Sequence, residues 1–155
     1  LAEKKTQWQY KGMYITELKH VPPDTYGFVY KIDIEHEGKH YYYIGQKKLI
    51  SVRKRKFTKK EIAAMPNKRA KKWELVSSEM PWQSYTGSNK QLNSLIKEFT
   101  EKGLKMKKEI LYYTKSALEL KFLEAKEIIC SGGLEDEQCF NDGVSLRQYG
   151  KLKFL

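Results

Sequence analysis

Tyr26-Gly-Phe-Val-Tyr-Lys-Ile32 and His40-Tyr-Tyr-Tyr-Ile-Gly-Gln46 are the two runs that decide how this chain is read. Both are rich in β-branched and aromatic residues. Asp33–Lys39 between them is polar and holds one glycine. The pattern predicts a β-hairpin with strands at about 26–34 and 40–46. Side chains alternate along a strand, so Tyr41 and Tyr43 share a face and Tyr42 points the other way, toward core or cover.

Upstream, residues 1–24 read as an arm. Trp8, Tyr10, Met13, Tyr14 and Ile15 are interleaved with polar residues around Gly12, which suits a short strand or hairpin closed by Pro22-Pro23. Downstream, ten Lys/Arg and a single acid, Glu61, fill Arg53–Lys72. Thr58-Lys-Lys-Glu61 is a capping box, so a short helix starts there and stops at Pro66. A second helical piece is expected at about 67–76. Ser88-Asn-Lys-Gln91 opens another helix, with Leu92, Leu95, Ile96 and Phe99 as its stripe and Gly103 as its stop. A third strand is expected at about 104–113. A last helix runs from the capping box Ser116-Ala-Leu-Glu119 to Gly132-Gly133, with Leu118, Phe122, Ala125 and Ile129 as its main stripe. Leu120, Leu123 and Ile128 widen that stripe. Hairpin, helices, strand and helix predict an α+β fold, a small three-stranded and mostly antiparallel sheet flanked by helices.

The chain has 155 residues, enough for one domain with a real core. Its formal charge of +11 points to a polyanionic partner, DNA first and RNA second. No apolar run approaches the ~20 residues of a membrane-spanning helix, and no membrane partner is expected. Cys130 and Cys139 are the only cysteines; they suggest free thiols in a reducing compartment. No spacing supports a zinc site. The N-terminus carries no signal-peptide pattern, and Leu1 in place of methionine suits a trimmed fragment.

Together these residues resemble the GIY-YIG nucleases found in phage and intron homing endonucleases, restriction enzymes and repair nucleases. Phe28-Val29-Tyr30 occupies the place of the first triplet, with Phe28 where that motif has glycine. Tyr43-Ile44-Gly45 matches the second triplet as it stands, with twelve residues between Tyr30 and Tyr43. The resemblance implies that Arg53 lies in a helix after the second triplet and that Glu124 is the metal-binding glutamate of a late helix. Asn141 would be the asparagine that closes the domain. Ser84-Tyr-Thr-Gly-Ser88 is similar to a segment of many phage members. Phe57 stands where the family often has a histidine or tyrosine, and no histidine follows His40. The resemblance covers about 26–142. It divides the chain into an arm (1–24), a catalytic domain (25–142) and a tail (143–155) too short for a separate recognition domain.

What the resemblance implies is divalent-metal-dependent cleavage of DNA phosphodiester bonds. Mg²⁺ or Mn²⁺ would be held by Glu124, and the setting would be the cytoplasm of a bacterial host if the chain is phage-encoded. Tyr30 would act as general base or position the attacking water; the plain alternative is a tyrosine packing in the hairpin. Tyr43 would hydrogen-bond the phosphate or the nucleophile. Arg53 would clamp the phosphate with its forked donors, or else simply belong to the basic run. Glu124, bracketed by Leu120 and Ile128, lies on a partly buried ridge and needs a partner, or else makes a surface ion pair. Asn141 would hold the metal-bearing helix by side-chain hydrogen bonds, and it also suits the turn before Asp142-Gly143. Gly45 supports the site. Lys47, Lys48, Lys54, Arg55, Lys56, Lys59, Lys60, Lys68, Arg69, Lys71 and Lys72 would track the DNA backbone, positioning the protein without reading sequence. Trp73 and Trp82 would stack on bases or be buried. A catalytically inactive nucleic-acid-binding module on the same fold is the alternative. A basic protein for acidic proteins or membrane surfaces is a third reading, disfavoured by the clustering of cations at 53–72.

Overall fold

The computed structural model describes residues 7–145. They fall into two compact units. The larger comprises the described residues up to Leu49 and from Pro81 onward; the smaller is Ile50–Met80. In chain order the strands are β1 (Trp8–Tyr10), β2 (Met13–Ile15), β3 (Gly27–His36), β4 (Lys39–Lys48), β5 (Ile50–Lys56), β6 (Trp73–Glu79) and β7 (Lys105–Thr114). The helices are α1 (Lys59–Ala64), α2 (Lys90–Thr100) and α3 (Ala117–Cys130).

The larger unit is built on a mixed sheet ordered β2-β1-β7-β3-β4, five strands rather than the three expected. The additional two come from the arm. β1 pairs with β2 as a hairpin and lies parallel to β7, with Trp8 opposite Lys108. That pairing joins residues a hundred positions apart, which local periodicity does not encode. Burial holds it in place. Trp8 is enclosed, packs edge-on to Phe28 at 5.1 Å between ring centroids, and donates its indole N–H to the Trp82 carbonyl at 2.7 Å.

The predicted hairpin is β3–β4, longer than expected. Glu37 and Gly38 both take positive φ, so a two-residue turn closes it and the polar residues on either side remain in the ladder, His36 opposite Lys39. β3 is buried on both faces. Phe28, Tyr30, Ile32 and Ile34 face a cluster that includes Trp8, Leu49, Trp82 and Leu92. Val29 faces the opposite cluster with Tyr42, Ile44 and the α3 residues Leu120 and Ile128. Tyr42 thus points away from Tyr41 and Tyr43, as the alternation required. Leu111 is an extra residue on β7, a bulge between the Val29–Tyr112 and Tyr30–Ile110 pairs.

The helices begin where capping places them, with two shifts. The cap of α2 is Asn89, whose side chain accepts from the Leu92 N–H, not Ser88. On α3 the residues buried are Leu120, Ala125 and Ile128, while Leu118 and Ile129 of the expected main stripe are exposed. This helix is apolar over much of its girth, so the sheet surface it meets decides which face is covered. In the smaller unit α1 carries the expected reciprocal capping box of Thr58 and Glu61. The second helical piece is absent: Trp73–Glu79 is strand β6, paired antiparallel with β5. Arg53 likewise lies in a strand, not a helix, directly opposite Val76. Alternating Ile50 and Val52 favour extension, and the β5–β6 pairing overrides the helix-friendly lysines. No described helix is long and apolar enough to cross a membrane. Residues 1–6 of the arm and 146–155 of the tail lie outside the described residues.

Candidate active site

The site grows from one cross-strand pair. Tyr30 on β3 stands opposite Gly45 on β4, and the phenol reaches across the space a side chain there would fill. A Cβ on Gly45 would come within 2.5 Å of Tyr30 Oη and 2.8 Å of Tyr43 Cε1, so only glycine fits beneath the two rings. A second glycine closes over them from the 81–89 loop. Gly87 has a φ of +96°, and a Cβ there would come within 3.1 Å of Tyr43 Cε1 and 3.3 Å of Tyr30 Oη. Tyr85 on the same loop meets the Tyr30 ring at right angles, 6.0 Å between centroids.

Three anchors fix that loop. Lys108, itself buried, donates from Nζ to the Gln83 carbonyl at 2.9 Å, and burial lowers its pKa to about 8. Asn93 Nδ2 donates to the Gly87 carbonyl at 3.0 Å. Asn89, the α2 cap, donates to the Phe140 carbonyl at 2.8 Å. The Lys47 ammonium lies over Tyr85, 4.2 Å from the ring centroid, and burial lowers its pKa.

Tyr30 is wholly enclosed, and its hydroxyl has no hydrogen-bond partner. Burial, and then the neighbouring Tyr85 and Tyr43 phenols, raise its pKa far above the ordinary phenol range. It is therefore a neutral phenol here, a donor rather than a base. Tyr43 is half-buried beside it, with its hydroxyl 3.5 Å from Ser88 Oγ. Burial raises its pKa as well.

Glu124 reaches the same place from α3. Its Oε2 accepts a hydrogen bond from Gln46 Nε2 at 2.8 Å, which supplies the partner its ridge position demanded. Burial nevertheless raises the carboxyl to about 7, with Gln46 pulling the other way. Glu124 and Tyr43 line one cleft of about 440 Å³, together with Gln46, Ser88, Lys121, Asn141 and Asp142.

Asn141 does not hold α3, contrary to expectation. Its amide completes the exposed edge of β4: Oδ1 accepts from the Ile44 N–H at 2.9 Å, and Nδ2 donates to the Ile44 carbonyl at 2.7 Å. The chain before it runs along the same edge, with the Phe140 N–H donating to the Tyr42 carbonyl at 2.9 Å. An edge strand offers unpaired backbone groups at every second residue, and a side-chain amide satisfies both at once. Cys139 donates to Asn141 Oδ1 at 3.2 Å, and both cysteines are free thiols.

Tyr30, Tyr43, Gly45, Glu124 and Asn141 thus come together in the larger unit. Arg53 is carried on β5 of the smaller one. Among the cations expected to meet phosphate, Arg55 is engaged by Glu74 at 2.7 Å and by both oxygens of Glu61. Lys68 caps α1 by donating to the Ala63 carbonyl at 2.6 Å. Trp82 is buried, whereas Trp73 is half-buried with Lys54 and Lys71 over its ring, at 4.5 and 5.1 Å. Sequence reasoning missed Gln46, and it placed Tyr85 and Gly87 only within Ser84–Ser88, with no role. Gln46 was open to discovery, because it lies on the same strand face as Tyr42 and Ile44, the face that meets α3.

The chain matches the family described as "Putative endonuclease segE, GIY-YIG domain" over residues 8–144. It belongs to the GIY-YIG endonuclease family. No curated protein and no solved structure gives a significant match. The match begins at Trp8, so the arm strands β1 and β2 lie within it. Membership makes nucleic acid the substrate and phosphodiester hydrolysis the reaction class, and GIY-YIG nucleases generally use divalent metals. The described residues hold no cluster of three or more His, Cys, Asp or Glu side chains. A lone carboxylate nevertheless fits a hard cation that keeps several waters and takes its remaining oxygens from phosphate. Glu124, with one oxygen already oriented by Gln46, has the chemistry such a donor needs.

Proposed function

We propose that this GIY-YIG chain is a divalent-metal-dependent DNA endonuclease of phage or mobile-element, homing type, acting in the cytoplasm of a bacterial host. The observation that best supports this is Glu124. It is a half-buried carboxylate with a hydrogen-bonded orienting partner, and it shares an open cleft with Tyr43. A structural ion pair would neutralise a buried carboxylate with a cation, but here the partner is a neutral amide. The likeness of Ser84–Ser88 to phage members supports the phage origin.

Hydrolysis forms a bond from a water oxygen to phosphorus and breaks the bond to one deoxyribose oxygen, with one water proton passing, directly or through solvent, to that leaving oxygen. Mg²⁺ or Mn²⁺, when bound, supplies charge neutralisation and a more acidic water. Glu124 would hold the ion, with Gln46 fixing the carboxylate plane. Tyr43 donates to the phosphate or the incoming nucleophile. Tyr30, kept protonated by burial, positions rather than deprotonates unless cation binding exposes it. Arg53, on strand β5 instead of the expected helix, would clamp the phosphate with its forked donors. Lys54, Lys56, Lys59, Lys60, Arg69, Lys71 and Lys72 would follow the DNA backbone, with Lys47 and Lys48 on β4. The full burial of the Tyr30 hydroxyl favours the second reading, an inactive nucleic-acid-binding module.

Plasmid cleavage in Mg²⁺ against EDTA, with wild type beside Glu124→Ala, decides between them. Metal-dependent cutting that Glu124→Ala abolishes while DNA binding persists is expected. Salt-sensitive binding by wild type with no cutting in Mg²⁺ or Mn²⁺ would leave the inactive module standing.

A further inference from the structure

The smaller unit has properties that the catalytic reading does not use. No residue of Ile50–Met80 is buried, although the segment forms a regular seven-residue ribbon with a helix between its strands. It holds ten Lys/Arg and three Glu. Strand alternation sorts its side chains. Arg53, Arg55, Glu74 and Val76 share one face, where Arg55 ties β6 to α1 through Glu74 and Glu61. The other face carries Ile50, Val52, Lys54, Lys56, Trp73, Leu75, Ser77 and, at its far end, Glu79. Its aliphatic centre lies open to solvent, with Val52 51% and Leu75 62% exposed. Val52 and Leu75 are diagonal neighbours in the register, with Lys54 and Lys56 toward one end of the ribbon and the Ile50–Glu79 pair at the other. An exposed apolar strip within a cationic surface is a poor solvent face and a good contact surface for a polyanion with apolar edges.

We propose that this face of the β5–β6 ribbon enters the major groove of duplex DNA. Lys54, Lys56 and Lys71 would meet the flanking phosphates, while Val52 and Leu75 would meet base edges. The major groove admits a two-stranded ribbon and displays thymine methyl groups that suit aliphatic side chains. A single-strand platform would call for several aromatic faces in succession, and this face has one, Trp73. The proposal rests on DNA being the substrate. It adds the element that reads the site, where the basic run alone only positions the protein.

The test uses the full chain in EDTA, a fluorescein-labelled 30-base-pair duplex of mixed sequence, the matching single strand and the matching RNA duplex. Anisotropy titrations across a salt series compare wild type with V52S/L75S and with K54Q/K56Q; circular dichroism checks folding. Dimethyl sulfate footprinting reports guanine N7, a major-groove atom. Wild type should prefer the DNA duplex and protect N7 positions. V52S/L75S should lose roughly tenfold or more in affinity, together with that protection. K54Q/K56Q should lower the slope of log K against log salt by about 2. Duplex binding and footprints unchanged in V52S/L75S would overturn the proposal. So would tighter binding to single strand or RNA than to the DNA duplex. Parallel cleavage in Mg²⁺ keeps the two readings separate. Wild-type cutting with a silent ribbon sinks the groove assignment alone, and ribbon-dependent binding without cutting sinks the nuclease reading alone.

Discussion

Two hairpins in this chain, β3–β4 and β5–β6, are held together by different forces. β3–β4 has ten-residue strands closed by a two-residue turn, and β3 is enclosed on both faces. β5–β6 joins seven-residue strands across α1 and has no buried residue. Packing fixes the first, so Tyr30 and Tyr43 have one position each. Cross-strand pairs and ions fix the second, which leaves its side chains free to adapt to a partner. Placement within about half an ångström is what chemistry requires of a site, and regions of low local stability are where ligand-binding elements are commonly found.

The sharpest way to break this division of labour is to remove Glu124. If Glu124 holds the divalent cation as proposed, losing it would forfeit the several kcal/mol of charge stabilisation that the cation supplies. Cleavage should fall about 10³-fold or more in Glu124→Ala, with the anisotropy titration on duplex DNA unchanged. If binding falls in step with cleavage, recognition and chemistry are not divided between the hairpins. Stability is the next contrast. Phe28→Ala empties a site between Trp8, Tyr30 and Trp82 and should cost about 3–5 kcal/mol in urea unfolding. Leu75→Ala, on the open ribbon face, should stay within about 0.5 kcal/mol. Comparable losses would mean that the ribbon face is covered in solution.

A smaller effect is expected at Gln46. Its amide orients Glu124 without belonging to the ridge on α3. Gln46→Ala should weaken Mn²⁺ binding about tenfold in a calorimetric titration and leave urea stability nearly unchanged. An unaltered affinity would mean that burial alone orients the carboxylate.

Much of the larger hairpin was legible because burial and alternation speak through the same residues. Val29, Tyr42 and Ile44 had to face one way, Tyr30 and Tyr43 the other. Glu124 was legible as a half-buried ridge residue because Leu120 and Ile128 bracket it by one turn. Pairings made at long range were not legible. β1 lies beside β7 because Trp8 fits against Phe28, and nothing local to Trp8 says so. Asn141 was expected to hold a helix or begin a turn and instead completes an edge strand, a partner that the residues around it do not reveal. The strand at 73–79 was hidden behind the cationic run Lys68–Lys72, which continued the expected helix into it. The helix propensity of that run is real but weak, and the pairing with β5 outweighs it.

Titration gives the smallest effect, and its sign should differ between Glu124, on α3 of the larger unit, and Glu61, on α1 between the ribbon strands. Burial raises Glu124 from an ordinary 4.5 to about 7, so between those values the folded protein binds more protons than the unfolded chain. Its contribution to stability therefore falls as pH rises across that window, and the cost is complete above about 7. Glu61 goes the opposite way. The Arg55 side chain, and then the Thr58 N–H, lower it to about 2. Its contribution is complete above the ordinary 4.5 and is lost as pH falls toward 2. Glu124→Gln should thus raise the melting temperature by a few degrees at pH 8 and by nothing at pH 4. Glu61→Gln should leave the melting temperature unchanged at both values and speed amide exchange only in β5, α1 and β6, since Glu61 is fully exposed to solvent screening. Exchange that instead rises across β3 and β4 in Glu61→Gln would show that the ribbon and the sheet unfold as one, and the contrast between the two hairpins would fail.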